Sequence, residues 1–284
     1  MNARNLTDFS KSSMALGPRL EALGVGVNMS GRKLLDDISV EFRAGHVTAI
    51  LGPNGAGKST LMSSLTGQRK PDAGHVELEG RVLQGCAPAE LARLRAFVAQ
   101  ETQVAFDFTV REVVDLGRYP HRMRPSPQEA HIAGLAMQAT AVEHLADRSL
   151  NTLSGGEKAR VHLSRALAQV WESSGNDKSR WLLLDEPTAA LDLQHQHRML
   201  QLARRWADAH GVGVIAVLHD LNLALRYSDR CIVLKEGRLF AAGETSVVLN
   251  EDCIGNVWGV TAHPVRTGGT AAGVLQYVFE AAVG

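Results

Sequence analysis

The chain has no surplus of either charge: 30 Lys and Arg residues face 30 Asp and Glu residues over 284 positions, a formal net charge of +0. A neutral balance supplies no global field to gather nucleic acid or anionic lipid, so nucleic acid is not an expected partner. Cysteine is scarce, and Cys86, Cys231 and Cys253 lie far apart with no C-x-x-C spacing. That pattern argues against disulfides and a zinc site and for a reducing compartment, the cytoplasm. Long apolar runs are missing as well. The segment "VGVIAVL" (212–218) falls far short of the roughly 20 residues that cross a bilayer, and "MNARNLTDFSKSS" has no signal-peptide core. A role at a membrane would therefore run through a partner. The sequence also shows no internal repeat and no low-complexity tract.

What is present reads as an α/β chain long enough to bury a large core. Residues 1–17 read as a loose polar leader and 18–284 as a single domain. "RLEALGVGV" and "DISVEFRAG" suggest an antiparallel β edge, while "HVTAILG", "WLLLDEP" and "GVIAVLHD" are short apolar runs ending in polar residues. Such runs suit strands buried on both faces of a parallel sheet. Between them, about 91–165 is expected to be a largely helical subdomain, broken at "YPHRMRPSP" (119–127). "DRCIVLKEGRLFAAG" reads as a hairpin around Glu236 and Gly237, and about 245–284 as a small C-terminal extension with a short helix or two and the strand "GVLQYVF".

"GPNGAGKST", Gly52 to Thr60, fits the phosphate-loop pattern G-x-x-x-x-G-K-[ST] between a predicted strand and a predicted helix. Gly52, Pro53, Asn54, Gly55, Ala56, Gly57, Lys58, Ser59 and Thr60 would form the cradle, whose turned N–H groups and helix N-terminus suit phosphate. Lys58 would reach the β- and γ-phosphates and Ser59 would hold Mg²⁺. Asp185 and Glu186 end the buried run "WLLLDEP", at the strand edge where open α/β sheets bind ligands. There Asp185 is a candidate for Mg²⁺ and Glu186 for orienting or deprotonating a water. His219 follows another apolar run and could touch the γ-phosphate; Gln100 ends "AFVAQ" and could sense Mg²⁺ as parts of the molecule hinge. A second glycine turn, "LSGGEKAR" (153–160), also opens a helix but carries no lysine at the position Lys58 occupies.

Taken in order, these stretches resemble the ATP-binding-cassette ATPases over roughly residues 20–245. "GPNGAGKST" is similar to their Walker A loop, Gln100 to the Q-loop, "LSGGEKAR" to the signature motif, "WLLLDEP" to Walker B, "ALD" (190–192) to the D-loop and His219 to the switch histidine. The resemblance implies a P-loop α/β core with an antiparallel β subdomain and an inserted α-helical subdomain. It also implies ATP and Mg²⁺, the ion held by Ser59, Gln100 and Asp185, with Glu186, His219 and Gln100 catalytic. Two copies would pair head to tail, so that Ser154, Gly155, Gly156, Glu157 and the D-loop Asp192 of one close over ATP on the other. A turn meeting a γ-phosphate from the far side needs no lysine of its own.

The flanks "QETQVAFDFTVREVVDLGRYPHR" and "LHDLNLALRYSDRCIVLKEGRLFAAGE" resemble importer ATPases for iron siderophores, haem and vitamin B12. "WESSGNDKSR" and "ALDLQHQHRML" are similar to the haem importers within that group. The implied partners are two membrane permease subunits and, indirectly, a periplasmic substrate-binding protein, with this chain on the cytoplasmic face of the bacterial inner membrane. Import of a ferric siderophore or vitamin B12, or a soluble role in iron–sulfur cluster assembly, are the alternatives. The permease would dock near Gln100 to His121, where Arg118, Tyr119, His121 and Arg122 are expected to form a polar, partly aromatic surface. Many cassettes stack adenine on an aromatic residue ahead of Walker A, yet "ALGVGVNMSGRKLL" (22–35) has none. Val27 or Met29 is then the expected apolar contact, with weaker discrimination among bases. His195 and His197, two apart on a predicted helix, face different sides and are expected to lie on a solvated face.

Overall fold

Backbone burial dictates the architecture. A computed structural model describes residues 17–100, 107–172, 179–266 and 275–281. The chain opens with strands β1 (Arg19–Met29), β2 (Arg32–Arg43) and β3 (Val47–Leu51), helix α1 (Lys58–Leu65) and strands β4 (Ala73–Leu78) and β5 (Arg81–Val82). Helix α2 (Pro88–Leu94) and strand β6 (Arg95–Val98) precede helices α3 (Val110–Asp115), α4 (Glu129–Ala139) and α5 (Gly155–Gln169). Strand β7 (Trp181–Asp185), helix α6 (Leu193–His210), strand β8 (Gly213–Val217) and helix α7 (Leu221–Tyr227) follow. The chain closes with strands β9 (Arg230–Lys235) and β10 (Arg238–Glu244), helices α8 (Thr245–Val248) and α9 (Glu251–Trp258) and strands β11 (Val260–Arg266) and β12 (Leu275–Ala281). The leader over 1–16, residues 101–106 after Gln100 and residues 173–178 of the polar loop before Walker B lie outside the described residues.

The central sheet has six strands in the order β10-β9-β3-β8-β7-β6, parallel throughout except for the β9–β10 hairpin at one edge. All five residues of β3, of β7 and of β8 are buried. Fully burying one such Val, Ile or Leu side chain contributes about 1.5–3 kcal/mol, and a strand with no exposed face leaves no place for polar chemistry except its ends. A separate four-stranded antiparallel sheet, β2-β1-β4-β5, covers one side, with the segments expected to form an antiparallel edge as β1 and β2. Val27, one of the two residues expected to touch a base, is 1% exposed within the core, while Met29 is half exposed. The strand expected at "GVLQYVF" is β12, which pairs with β11 in a two-stranded ribbon.

The expected helical run over about 91–165 contains one strand, β6, which pairs in parallel with β7 and so ties that region to the central sheet. Beyond it, α3, α4 and α5 pack Val113, Val114, Ile132, Ala136, Met137, Leu163 and Leu167 into the same core as β7 and β8. Two residues expected on a docking surface are instead internal fasteners. Arg118 is 7% exposed, donates to Glu129 through Nε and Nη2 at 2.9 Å each and to the Ala168 carbonyl at 2.7 Å. His121 is 6% exposed and its Nε2 lies 2.8 Å from the Gln169 carbonyl oxygen. Both hold the 116–121 turn against the C-terminal end of α5, where free carbonyls need donors. Only Tyr119 and Arg122 of that group face outward, the Arg122 guanidinium lying 4.1 Å from the Tyr119 ring centroid.

Helix α6 likewise holds both of its early histidines instead of exposing them. His195 Nδ1 sits 2.7 Å from Asp192 Oδ1, and His197 Nδ1 sits 2.7 Å from the Tyr227 hydroxyl on α7. They point in different directions, as their spacing requires, but each is partly buried against its own partner.

Trp181 begins the strand that ends in Asp185, and its ring is 1% exposed with Nε1 donating to Ser179 Oγ at 2.9 Å. Gly213 on the neighbouring strand leaves room for that ring: a Cβ there would lie 2.4 Å from two ring carbons. Overpacking of this kind costs about 1–3 kcal/mol, so Gly213→Ala should lower the denaturant midpoint accordingly. An unchanged midpoint would show that the Trp181 ring is not fixed at this contact.

Candidate active site

The carboxyl ends of β3, β6, β7 and β8 converge on one edge of the central sheet, and each delivers a polar group there. After β3 the chain turns through Gly52 (φ 146°), Gly55 (φ 78°) and Gly57 (φ 99°), the last capping α1. The glycines are required from behind the loop as well as in front of it. A Cβ on Gly52 would lie 2.2 Å from the Leu234 carbonyl oxygen, and one on Gly57 would lie 2.7 Å from Leu35 Cδ2 and 2.9 Å from the Leu34 carbonyl oxygen. The cradle is thus wedged between β2 and the β9–β10 turn, whose Gly237 donates its N–H to the Ala56 carbonyl. Positive φ at these three positions excludes other residues on conformational grounds too.

Lys58 is 6% exposed, and its ammonium donates to the carbonyls of Gly52 at 2.8 Å and Pro53 at 3.0 Å. Burial lowers its pKa, and the nearby charges of Glu186 and Asp185 work in the opposite direction. A buried ammonium wrapped by a turn whose N–H groups and helix N-terminus carry partial positive charge fits a polyphosphate. Asp185 is 8% exposed; burial, then the Glu186 charge beside it, raises its pKa, opposed by Ser59, Lys58 and His219. Ser59 Oγ faces Asp185 Oδ1 at 3.4 Å, longer than a good O–H···O bond. Two hard oxygen donors facing each other across such a gap, next to the phosphate cradle, suit Mg²⁺.

Glu186 is the pivot of the edge. It is a non-glycine residue at φ 49°, a left-handed conformation that persists where the surroundings enforce it. Gln100 Nε2 donates to its Oε2 at 2.8 Å, and His219 Nε2 lies 2.7 Å from its Oε1. Both carboxylate oxygens are therefore held, one by the end of β6 and one by the end of β8. Gln100 is brought to Glu186, and no hydrogen bond among the described residues joins it to Ser59 or Asp185. The sequence motifs mark these three residues separately, and their direct mutual contact is visible only in the fold.

The second glycine turn lies in the open. Ser154 caps α5 by accepting from the Glu157 N–H at 3.3 Å, while the Glu157 carboxylate accepts from the Ser154 N–H and hydroxyl at 2.8 Å each. Those two donors from Ser154, the backbone N–H first, lower the Glu157 pKa. Ser154 and Gly155 are exposed, and the N–H groups of Gly155 and Gly156 lie in the first turn, ahead of the helix's own bonding pattern. Gly155 and Gly156 pack against the D-loop, where added Cβ atoms would meet Ala190 Cβ at 3.7 Å and Leu191 Cδ2 at 3.4 Å. Asp192 of that loop caps α6 through the His195 N–H at 2.8 Å. Among the described residues no hydrogen bond joins the Ser154 turn to the Lys58 loop. Among the described residues the chain thus has one glycine loop with a buried lysine and one exposed helix start held by its own Ser154–Glu157 capping pair.

The family model for ABC transporters matches residues 35–189. The chain is 48% identical over 231 residues to the hemin import ATP-binding protein HmuV of Methylobacillus flagellatus, covering 81% of this chain and 85% of that one. It is 47% identical over 248 residues to the hemin import ATP-binding protein HmuV of Gloeobacter violaceus, covering 87% and 90%. The dimeric structure of a bacterial ABC transporter cassette superposes with a TM-score of 0.70 at 27% identity, covering 80% of this chain and 98% of that one.

Glu186→Gln replaces one of the two oxygens that Gln100 and His219 address with an amide donor and removes the carboxylate that would accept a proton from water. Hydrolysis should fall by about 100-fold or more with ATP affinity within a few-fold of wild type, read by phosphate release and by nucleotide titration. Hydrolysis at the wild-type rate would remove Glu186 from the chemistry.

Proposed function

We propose, from the premise that the chain belongs to the ABC transporter family as one of its ATP-hydrolysing cassettes, that it powers import of haem through a separate membrane permease. The observation that carries the cargo is the identity of nearly half of all aligned residues with hemin import ATP-binding proteins over most of the chain. The flanks of Gln100 and His219, outside the shared motifs, support the same subgroup.

The working unit in this reading is a head-to-tail homodimer. The Ser154–Gly156 turn supports it, because among the described residues its only side-chain hydrogen bonds are those of its own Ser154–Glu157 capping pair, which leaves the Gly155 and Gly156 N–H groups for a γ-phosphate already held by Lys58 of a second copy. Ser154 offers its hydroxyl, Gly155 and Gly156 their N–H groups, and Asp192 follows on the same surface. Glu157 keeps the turn in shape through its bonds to Ser154. Within one site, residues 52–60 bind the phosphates and Glu186 takes a proton from water as the water oxygen bonds to the γ-phosphorus. The bond to the β-phosphate oxygen breaks, leaving ADP and inorganic phosphate. His219 and Gln100 hold Glu186 in line from either side. Mg²⁺, held by Ser59, Asp185 and Gln100, would supply charge neutralisation of the phosphate oxygens. Hydrolysis removes the γ-phosphate that joins the two copies, and the pair reopens.

No helix among the described residues is long and apolar enough to cross a membrane. A cytoplasmic-face position therefore depends on two permease subunits, which in turn receive cargo from a periplasmic binding protein. With Arg118 and His121 internal, the docking surface reduces to the exposed Leu116, Tyr119, Arg122 and Met123, beside a cavity of about 720 Å³ lined by residues including Gln84, Arg95, Arg165 and Gln169. An exposed patch of Leu116, Tyr119 and Met123 with the Arg122 cation among them suits a short amphipathic segment of a membrane partner.

The test is co-purification of this chain with its permease, followed by ATP hydrolysis in the reconstituted complex with the binding protein and haem, a ferric siderophore or cobalamin. Haem should stimulate hydrolysis several-fold more than the other two. Stimulation by a siderophore or cobalamin alone would reassign the cargo, and recovery with soluble iron–sulfur assembly proteins instead of a permease would overturn the transport reading.

A further inference from the structure

His219 is a single residue between two backbone anchors. Before it, the Leu218 N–H donates to the Ile50 carbonyl on β3 at 3.2 Å. After it, Asp220 caps α7 by accepting from the Asn222 and Leu223 N–H groups at 2.7 and 3.0 Å. The direction in which the imidazole leaves the chain is thus set by where α7 begins. That start is gripped from outside by the C-terminal ribbon. Asn222 Nδ2 donates to the Tyr277 carbonyl at 3.0 Å, and Asn222 Oδ1 accepts from the Tyr277 N–H at 2.7 Å, so the amide takes the place of a neighbouring strand. Tyr277 lies opposite Pro264 in the β11–β12 ladder, and a proline has no N–H to give, which leaves both backbone groups of Tyr277 to α7. Tyr277 and Ala262, each 6% exposed, fix the ribbon in the same core as β7 and β8. The far end of α7 is tied separately, through the Tyr227 hydroxyl and His197.

We propose that Asn222 is a positioning residue for ATP hydrolysis, and that through it the C-terminal ribbon sets the angle at which His219 meets Glu186. The inference rests on the reading that Glu186 takes the proton from water with His219 beside it. A contact of 2.7 Å between His219 Nε2 and Glu186 Oε1 tolerates little displacement of the helix start. A misplacement of about 1 Å in a reacting group can cost about 100-fold in rate. Asn222 suits the task because its amide is uncharged and offers one donor group and one acceptor, matching the two backbone groups of Tyr277 without placing a charge against the core. A side chain without that amide would leave a partly buried N–H and carbonyl unpaired and free the first turn of α7 to shift. Strands β11 and β12 carry none of the sequence motifs, and this contact gives them a part in the chemistry.

The test reads rate and histidine environment together on the full chain. Hydrolysis of ATP with MgCl₂ is measured for wild type, Asn222→Ala, Asn222→Asp, Tyr227→Phe and His219→Ala. The imidazole resonances of the same proteins are recorded by NMR, with that of His219 identified by its loss in His219→Ala. Asn222→Ala and Asn222→Asp should each lower kcat by about 3- to 10-fold with KM for ATP within about twofold, and both should move the His219 resonance. Asn222→Asp keeps an oxygen for the Tyr277 N–H and a side chain favoured in the first turn of a helix, so its lower rate would not come from loss of α7. Tyr227→Phe unties only the far end of the helix and should change neither kcat nor the His219 resonance. Wild-type kcat in both Asn222 variants, a lower kcat with the His219 resonance unmoved, or equal effects in Tyr227→Phe would overturn the positioning role and leave the hydrolysis reading in place. If His219→Ala itself hydrolyses ATP at the wild-type rate, the part given to His219 falls, and that of Asn222 with it.

Discussion

The structure depends on one constraint: strands β3, β7 and β8 are buried on both faces, so the charged side chains these strands bring to the centre of the molecule lie where the strands end. The phosphate loop leaves β3, Asp185 and Glu186 finish β7, His219 follows β8, and Gln100 follows β6 beside them. Each is a short step from a backbone fixed by parallel ladder bonds, which is why Gln100 and His219 reach the two oxygens of Glu186 at 2.8 and 2.7 Å. A carboxylate clamped by two different strand ends, the group proposed as the general base, is preorganised without help from a ligand.

The electrostatics of that edge are unbalanced by design of the sequence. Lys58 is buried among carbonyls with two carboxylates nearby, and Asp185 is desolvated against Glu186. In the proposed function a polyphosphate would meet the first and a divalent cation the second, so substrate and ion would complete the site together. The Ser154 turn shows the same logic from the other direction. Its first-turn N–H groups face outward in a helix start held in shape by the Ser154–Glu157 capping pair. In the proposed head-to-tail pairing, the Lys58 loop of one copy and the Ser154 turn of the other would close on the same phosphate.

Much of this was legible in the sequence because it is encoded locally. Apolar runs of five residues ending in acids give the buried strands, and the spacing of "GPNGAGKST" gives the loop with its lysine. The capping pair at Ser154 and Glu157 spans four consecutive residues. What was not legible depends on contacts distant in sequence. Arg118 and His121 carry surface chemistry in composition but are drawn inward by the carbonyls at the end of α5, some 50 residues away. Gly52 and Gly57 look like phosphate glycines, and the fold adds that Leu234, Leu34 and Leu35 also forbid a side chain there. Asn222 and Tyr277 meet across 55 residues with no motif to announce them.

The central claim is that a functional site needs the Lys58 loop of one copy and the Ser154 turn of another. Ser154→Arg and Lys58→Ala should each abolish hydrolysis alone. Mixed and allowed to exchange subunits, they should recover activity, because a heterodimer places one intact loop against one intact turn. Recovery to a substantial fraction of the rate expected for one wild-type site is the predicted result. No recovery, once heterodimers are shown to form, would contradict the composite site.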